Sequence, residues 1–266
     1  MCKREVEEDA IYVYCFARPL EHVGGDNLIC YRFNNIVAVG TTVAVEDYCG
    51  PAAEERMRDV SWIGPRACQH EQAIERVMER SAVLPVHFGT LFSSEPALRE
   101  FLRSHYFEIS NFLDRVSGTE EWSVRVLFDG KTARKPFAHG ANVSSAGSSA
   151  SLSGAQYLQL RARQASTEAE LTNWLTEAAQ ELRSRLAAFT VDFHVRPLLH
   201  GDDDGSGRRL LYNWVFLVSK STLREFHECI HEINAEVRMP HGLALEAVGP
   251  WPPYSFVSKW DVVLAE

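Results

Sequence analysis

The chain has 266 residues, 45% of them hydrophobic, enough to build one large domain or two ordinary ones with real cores. Its formal net charge is −9 and no run of Lys and Arg exceeds Arg208-Arg209, which argues against nucleic acid and anionic membrane surfaces as partners. No stretch approaches the ~20 apolar residues of a membrane-spanning helix, and the acidic Met1–Asp9 segment has no apolar region of a secretory signal, so a cytosolic protein is expected.

Ile11 to Ala17 reads as a first strand, followed by a Gly24-Gly25-Asp26-Asn27 turn and a second strand from Leu28 to Phe33. Asn34-Asn35 has the chemistry of a tight hairpin turn, and Ile36 to Val45 runs back as a third strand. Gly50-Pro51 introduces a short polar helix, and from Arg66 a longer helix places Ala67, His70, Ile74, Val77 and Met78 on one face. Leu84 to Phe92 is extended. Ser94 then caps a helix with Pro96 in its first turn, whose stripe runs from Leu98 through Phe101, Ile109 and Phe112 to Val116. Gly118 ends it, and Trp122 to Phe128 is a further strand.

Residues 138–154 are Ser, Gly and Ala rich, the composition of a linker. A long helix follows from Ala155 to Ala188, which Ser166-Thr167 could interrupt. Next come a hairpin of Phe189–Leu199 and Leu210–Ser219 around an acidic loop, a helix from Ser221 to Val237, and a strand from Leu243 to Val248. This order predicts an α+β protein of two ferredoxin-like α/β sandwich domains: an N-terminal one over 1–137, the linker 138–154, a C-terminal one over 155–250, and a proline-rich tail over 251–266.

That tail opens in Gly249-Pro250-Trp251-Pro252-Pro253-Tyr254-Ser255-Phe256. Each proline fixes φ, removes a donor and pushes the preceding residue toward extended conformations, so the segment reads as a stiff strap, neither helix nor central strand. Trp251, Tyr254 and Phe256 would pin it onto the preceding domain or a partner.

Three patterns resemble chemistry. His227-Glu228-Cys229-Ile230-His231 matches the zinc-peptidase HExxH, but the helix buries Phe226, Ile230 and Ile233, which turns both histidines toward solvent, and no third ligand follows at the required spacing. Asp202-Asp203-Asp204-Gly205-Ser206-Gly207 opens like a calcium loop, yet Asn213 stands where the bidentate glutamate belongs, so a solvated hairpin tip is expected. Cys2, Cys15, Cys30, Cys49, Cys68 and Cys229 lack CxxC spacing and read as reduced thiols, with Cys15 and Cys30 as small core hydrophobes. His70 reads as a hydrogen-bonded core histidine, and His87 faces the less buried side of an extended run.

The chain resembles the gas vesicle protein F/L family (GvpF/GvpL) over nearly its whole length. The resemblance rests on Ile11-Tyr12-Val13-Tyr14, on Trp62 followed by Arg66-Ala67 and His70, on Val83 to Phe92, on Gly154 with Tyr157-Leu158, and above all on the strap. It implies a non-enzymatic protein of two ferredoxin-like domains, with no cofactor and no metal. Such a protein acts in the cytoplasm on the gas vesicle, binds the major shell protein during nucleation, limits its aggregation, and works with other accessory proteins. The residues implied as family signature or partner contact are Trp62, Arg66, His70, Pro85, His87, Phe88, Gly89, Tyr157, Pro250, Trp251, Pro252, Pro253, Tyr254 and Phe256. His87 departs from the family pattern, which commonly carries arginine there. Beside this stand two readings of the residues alone, a ferredoxin-like ligand-binding module and a zinc hydrolase acting through residues 227–231.

Overall fold

The computed structural model describes residues 9–20, 27–129, 154–198 and 208–257. Cys2, the Gly24-Gly25-Asp26 turn, most of the 138–154 linker and the Asp202–Gly207 loop lie outside them. Two compact units result: Met1–Glu121 together with Pro250–Glu266, and Trp122–Gly249.

In the first unit, β1 (Asp9–Ala17), β2 (Ile29–Phe33) and β3 (Ile36–Ala44) form consecutive antiparallel strands. The two-residue turn works because Asn34 takes φ 50, a left-handed conformation asparagine tolerates. Short helices α1 (Val45–Tyr48) and α2 (Pro51–Arg56) lead to α3 (Val60–Met78). This third helix begins six residues before the expected Arg66, because Asp59 caps it by accepting from the Ser61 amide and the early Pro65 does not end it. The expected extended run from Leu84 resolves into β4 (Val83–Pro85), a turn, and β5 (Leu91–Phe92). The single helix expected after Ser94 breaks at His105 into α4 (Glu95–Ser104) and α5 (Tyr106–Arg115). The sheet order is β2-β3-β1-β4, with β5 also paired to β1.

Strand β1 carries one extra residue. Val13 pairs with Gly40 and Cys15 with Val39, which leaves Tyr14 as the bulge. The bulge switches parity: Ala10, Tyr12 and Tyr14 before it and Cys15 and Ala17 after it all join the core beneath α3 with Ala73, Ile74 and Val77, while Phe16 stacks on Phe101 of α4 at 5.7 Å. Gly40 is required here, because a Cβ there would collide with the Tyr12 carbonyl oxygen.

The second unit is built from β6 (Thr119–Phe128), α6 (Gly154–Ala187), β7 (Thr190–Arg196), β8 (Arg209–Ser219), α7 (Leu223–His241) and β9 (Leu243–Trp251). This is a βαββαβ arrangement with sheet order β7-β8-β6-β9, the ferredoxin-like split βαβ. Strand β6, expected to complete the N-terminal domain, belongs to this sheet instead. The physical reason is its apolar face, since Val124, Val126 and Phe128 find their core partners in Trp214, Phe216, Leu243 and Leu245. Helix α6 runs unbroken through Ser166-Thr167 for 34 residues, ~50 Å at 1.5 Å per residue. Leu175, Ala179, Leu182 and Leu186 meet Phe226, Ile230 and Ile233 of α7 in the same core. Of the two cysteines expected inside, Cys15 is buried but Cys30 is exposed, because β2 is an edge strand with an open outer face.

Gly40→Ala is expected to lower stability by about 1–3 kcal/mol, since the methyl group meets backbone that cannot yield. Urea denaturation measures it, and an unchanged midpoint would show that the β1–β3 approach is not a constraint.

Candidate functional site

Three of the implied signature segments converge in the first unit around a buried hydrogen-bond chain. The Gly89 amide donates to Tyr12 Oη at 3.1 Å, Tyr12 Oη donates to His70 Nδ1 at 2.8 Å, and His70 Nε2 donates to the Val86 carbonyl at 3.0 Å. The carbonyl can only accept, which places the ring proton on Nε2 and leaves Nδ1 as the acceptor. His70 is 2% exposed, and burial pushes its pKa down to about 4, so the ring is neutral at pH 7. Burial pushes the Tyr12 phenol well above its ordinary value. The chain joins β1, α3 and the 86–90 turn.

That turn differs from the expected extended run. Both the amide and the hydroxyl of Thr90 donate to the His87 carbonyl, at 3.2 and 2.7 Å, and Gly89 takes φ 86. Pro85 is buried opposite Cys15, and His87 projects from the tight turn as an exposed side chain. Phe88 lies half-buried beside Tyr12 at 6.0 Å, His70 at 5.8 Å and Tyr48 at 6.3 Å. Tyr48 meets the edge of Trp62 at 5.6 Å, and the Arg66 guanidinium sits 4.0 Å over the Trp62 ring while donating to the Trp62 carbonyl. Tyr48 is the member of this group that sequence reasoning missed; a lone tyrosine before Cys49-Gly50-Pro51 gives no periodic signal.

The strap docks on the first unit, not on the domain preceding it in the chain. Its opening residues continue β9, an edge strand of the second sheet, where proline is tolerated; residues Tyr254–Phe256 then close into a 3-10 turn, so the segment is not extended throughout. Tyr254 Oη donates to Glu71 Oε1 at 2.8 Å, and Tyr254 packs on the core beneath α3. Both the amide and the hydroxyl of Ser255 donate to the buried Glu121 carboxylate, at 3.0 and 2.8 Å. Arg115 donates to the Phe256 carbonyl. Pro252, Pro253 and Phe256 are buried, whereas Pro250 is exposed and Trp251 is 41% exposed. Trp251 therefore does not pin the strap as expected, while Glu71, Arg115 and Glu121, unmarked in the sequence, do. Tyr157 sits in α6, and its side chain lies outside the described residues.

The HExxH residues lie in α7. His227 is not turned to solvent as expected. It is half-buried, its ring edge-on to Trp122 at 4.4 Å, because Trp122 begins the run of β6 in this unit and covers that helix face. Glu228 faces Arg224 at 3.7 Å, and His231 is exposed. Among the described residues, no group of three His, Cys, Asp or Glu is placed to hold a metal ion.

The His70 arrangement sets a pH dependence. Its folded pKa, about 4, lies below the ordinary 6.5, so the unfolded chain binds more protons between those values. The stabilisation is complete above about pH 6.5 and is lost as pH falls toward 4, a total of roughly 3 kcal/mol. Urea midpoints measured between pH 7 and 4 are expected to fall more steeply for the wild type than for His70→Gln; parallel slopes would sink the assignment.

These segments all fall within the reach of a known family. The family described as gas vesicle synthesis protein GvpL/GvpF matches residues 10–258, which span both units and the strap. Gas vesicle protein L of Streptomyces sp. (strain CB03234) is 24% identical over 270 residues, covering 94% of each chain. Gas vesicle protein F2 of Halobacterium salinarum is 25% identical over 191 residues, covering 71% of this chain and 66% of the relative. The fold is shared with the crystal structure of GvpF from Anabaena sp. PCC7120, at TM-score 0.66 and 15% identity over 94% of this chain and 96% of that one. The GvpF structure from Microcystis aeruginosa gives 0.63 and 14% over 93% and 98%. With the match running from β1 to the strap, this chain belongs to the GvpL/GvpF family of gas vesicle proteins.

Proposed function

We propose that this protein is a non-enzymatic gas vesicle assembly factor that binds the major hydrophobic shell protein during nucleation, limits its aggregation, and stays with the vesicle as a minor component. The observation that carries the reading is the family match across both units and the strap. The physical logic is that a shell subunit with an apolar gas-facing surface needs a soluble partner before it assembles, and a partner covers such a patch with aromatic anchors. Trp251 has the form of an anchor: a large aromatic left 41% exposed beside two buried prolines and a hydrogen-bonded Tyr254-Ser255 pair. A side chain held on a stiff support loses little freedom on binding. The cytoplasm and the vesicle surface are the corresponding location, and other accessory proteins are further partners.

Co-expression with the major shell protein, followed by pull-down and measurement of soluble shell protein, tests this. The wild type is expected to capture the shell protein and raise its solubility, and Trp251→Ala to weaken capture roughly tenfold while the fold is retained. No capture when both proteins are folded would overturn the reading. His227→Ala, which removes one edge-on contact with Trp122, is expected to leave vesicle formation unchanged. Loss of vesicles from that variant, with folding intact by circular dichroism, would point instead to chemistry at α7.

A further inference from the structure

We infer that a second surface of the first unit, the aromatic shelf formed by Tyr48, Met57, Trp62 and Phe88, docks an apolar segment flanked by Lys or Arg; taking that segment as part of the shell protein rests on the assembly reading above. The four side chains are half-buried and adjoin one another, Tyr48 meeting Trp62 and Phe88 while Met57 lies beside Gly89. Behind them, Tyr12 and His70 already complete the buried layer, so among the described residues of this unit the half-buried shelf is an outer layer. Val60, 78% exposed in the first turn of α3, extends the apolar region of this helix end.

The charge around the shelf identifies the occupant. Residues 46–66 hold five acids (Glu46, Asp47, Glu54, Glu55, Asp59) and three arginines (Arg56, Arg58, Arg66), a local net charge of −2. Two of the arginines are engaged: Arg56 with Asp47 at 3.5 Å and with the Glu46 carbonyl, and Arg66 over Trp62. Glu46, Glu54 and Glu55 are exposed and make no ion pair among the described residues. An aromatic surface bordered by unneutralised carboxylates favours a cationic apolar partner and repels an acidic one. Phe107, an exposed aromatic of α5, lacks this bias. In the helix preceding it, α4, Arg99 pairs with Glu95 and Arg103 with Glu100, so the acids there are matched by arginines.

The test uses the full chain, the Glu54→Lys/Glu55→Lys double variant, and a control double variant, Glu75→Lys/Glu79→Lys, which changes net charge equally at exposed positions toward the other end of α3. Binding of a fluorescent leucine-lysine amphipathic peptide and of its leucine-glutamate counterpart is read by anisotropy, beside capture of the shell protein. The lysine peptide is expected to bind the wild type and the control alike, and the shelf variant roughly tenfold more weakly, with the preference for the lysine peptide over the glutamate peptide lost or reversed only in the shelf variant. Shell-protein capture should fall in parallel. Equal weakening by both double variants would mean a diffuse charge effect and overturn the proposal. Undiminished shell capture by the shelf variant would overturn it while leaving the assembly reading intact. Absence of shell capture by the wild type would overturn both.

Discussion

The fold of the first unit depends on how β1 is covered on its two faces. All but its first residue are buried, so every side chain must be assigned to one layer or the other, and the bulge at Tyr14 makes the assignment. By inserting one residue it brings Tyr12, Tyr14 and Cys15 to the α3 side and sends Phe16 to the α4 side. Tyr12 can then reach His70 with its hydroxyl, and the carbonyl of Tyr14 accepts from Val86 at 3.2 Å, which holds the turn that presents Phe88. The aromatic shelf is thus a consequence of strand register. A slip of one residue would exchange the layers throughout.

Regular elements were legible in the sequence where hydrophobic period and end signals agree. Asn34-Asn35 fixed the hairpin, the stripe from Ile109 to Leu113 marked a buried helical face, and Gly118 with its positive φ ended that region. The failures share a physical cause. Gly64-Pro65 looks like a helix start, but Pro65 lies inside α3, where it forgoes one backbone hydrogen bond without ending the helix, and the Asp59 cap sets the true start. Assignment of β6 to the first domain followed from chain order, whereas its core partners lie up to 120 residues later, beyond the reach of any local pattern. The same limit applied to the strap. Its stiffness could be read from three prolines, but its anchors, Glu71, Arg115 and Glu121, are ordinary charged residues until the fold brings them together.

These anchors make the first unit discontinuous. The chain leaves it after Glu121 and returns at Pro250, and Glu121 itself accepts both Ser255 hydrogen bonds. The contacts Tyr254–Glu71 and Ser255–Glu121 close loops of 183 and 134 residues. Loop closure on that scale is slow compared with the local pairing of β1, β2 and β3. The unit therefore gains its last wall only after the second unit has been synthesised, and until then the core beneath α3 lacks the packing of Tyr254. An order in which exposed apolar surface is covered late places a premium on solubility, which a net charge of −9 supplies.

Perturbed ionisable groups commonly mark reactive sites, and this cluster holds several, so the direction of each shift matters. His70 is pushed down to about 4, while Tyr12, Tyr254 and Cys15 are pushed up, and burial is the leading cause in all four. Every shift moves its group away from pH 7 and toward the neutral form. A catalytic acid or base needs the opposite, a pKa drawn toward the working pH by a partner placed for proton exchange. Here the neutral forms are the ones the hydrogen bonds use: Nδ1 of His70 must be unprotonated to accept from Tyr12, and Tyr254 must keep its proton to donate to Glu71. The buried polar groups of this cluster thus tie β1, α3, the 86–90 turn and the strap to one another in their neutral forms.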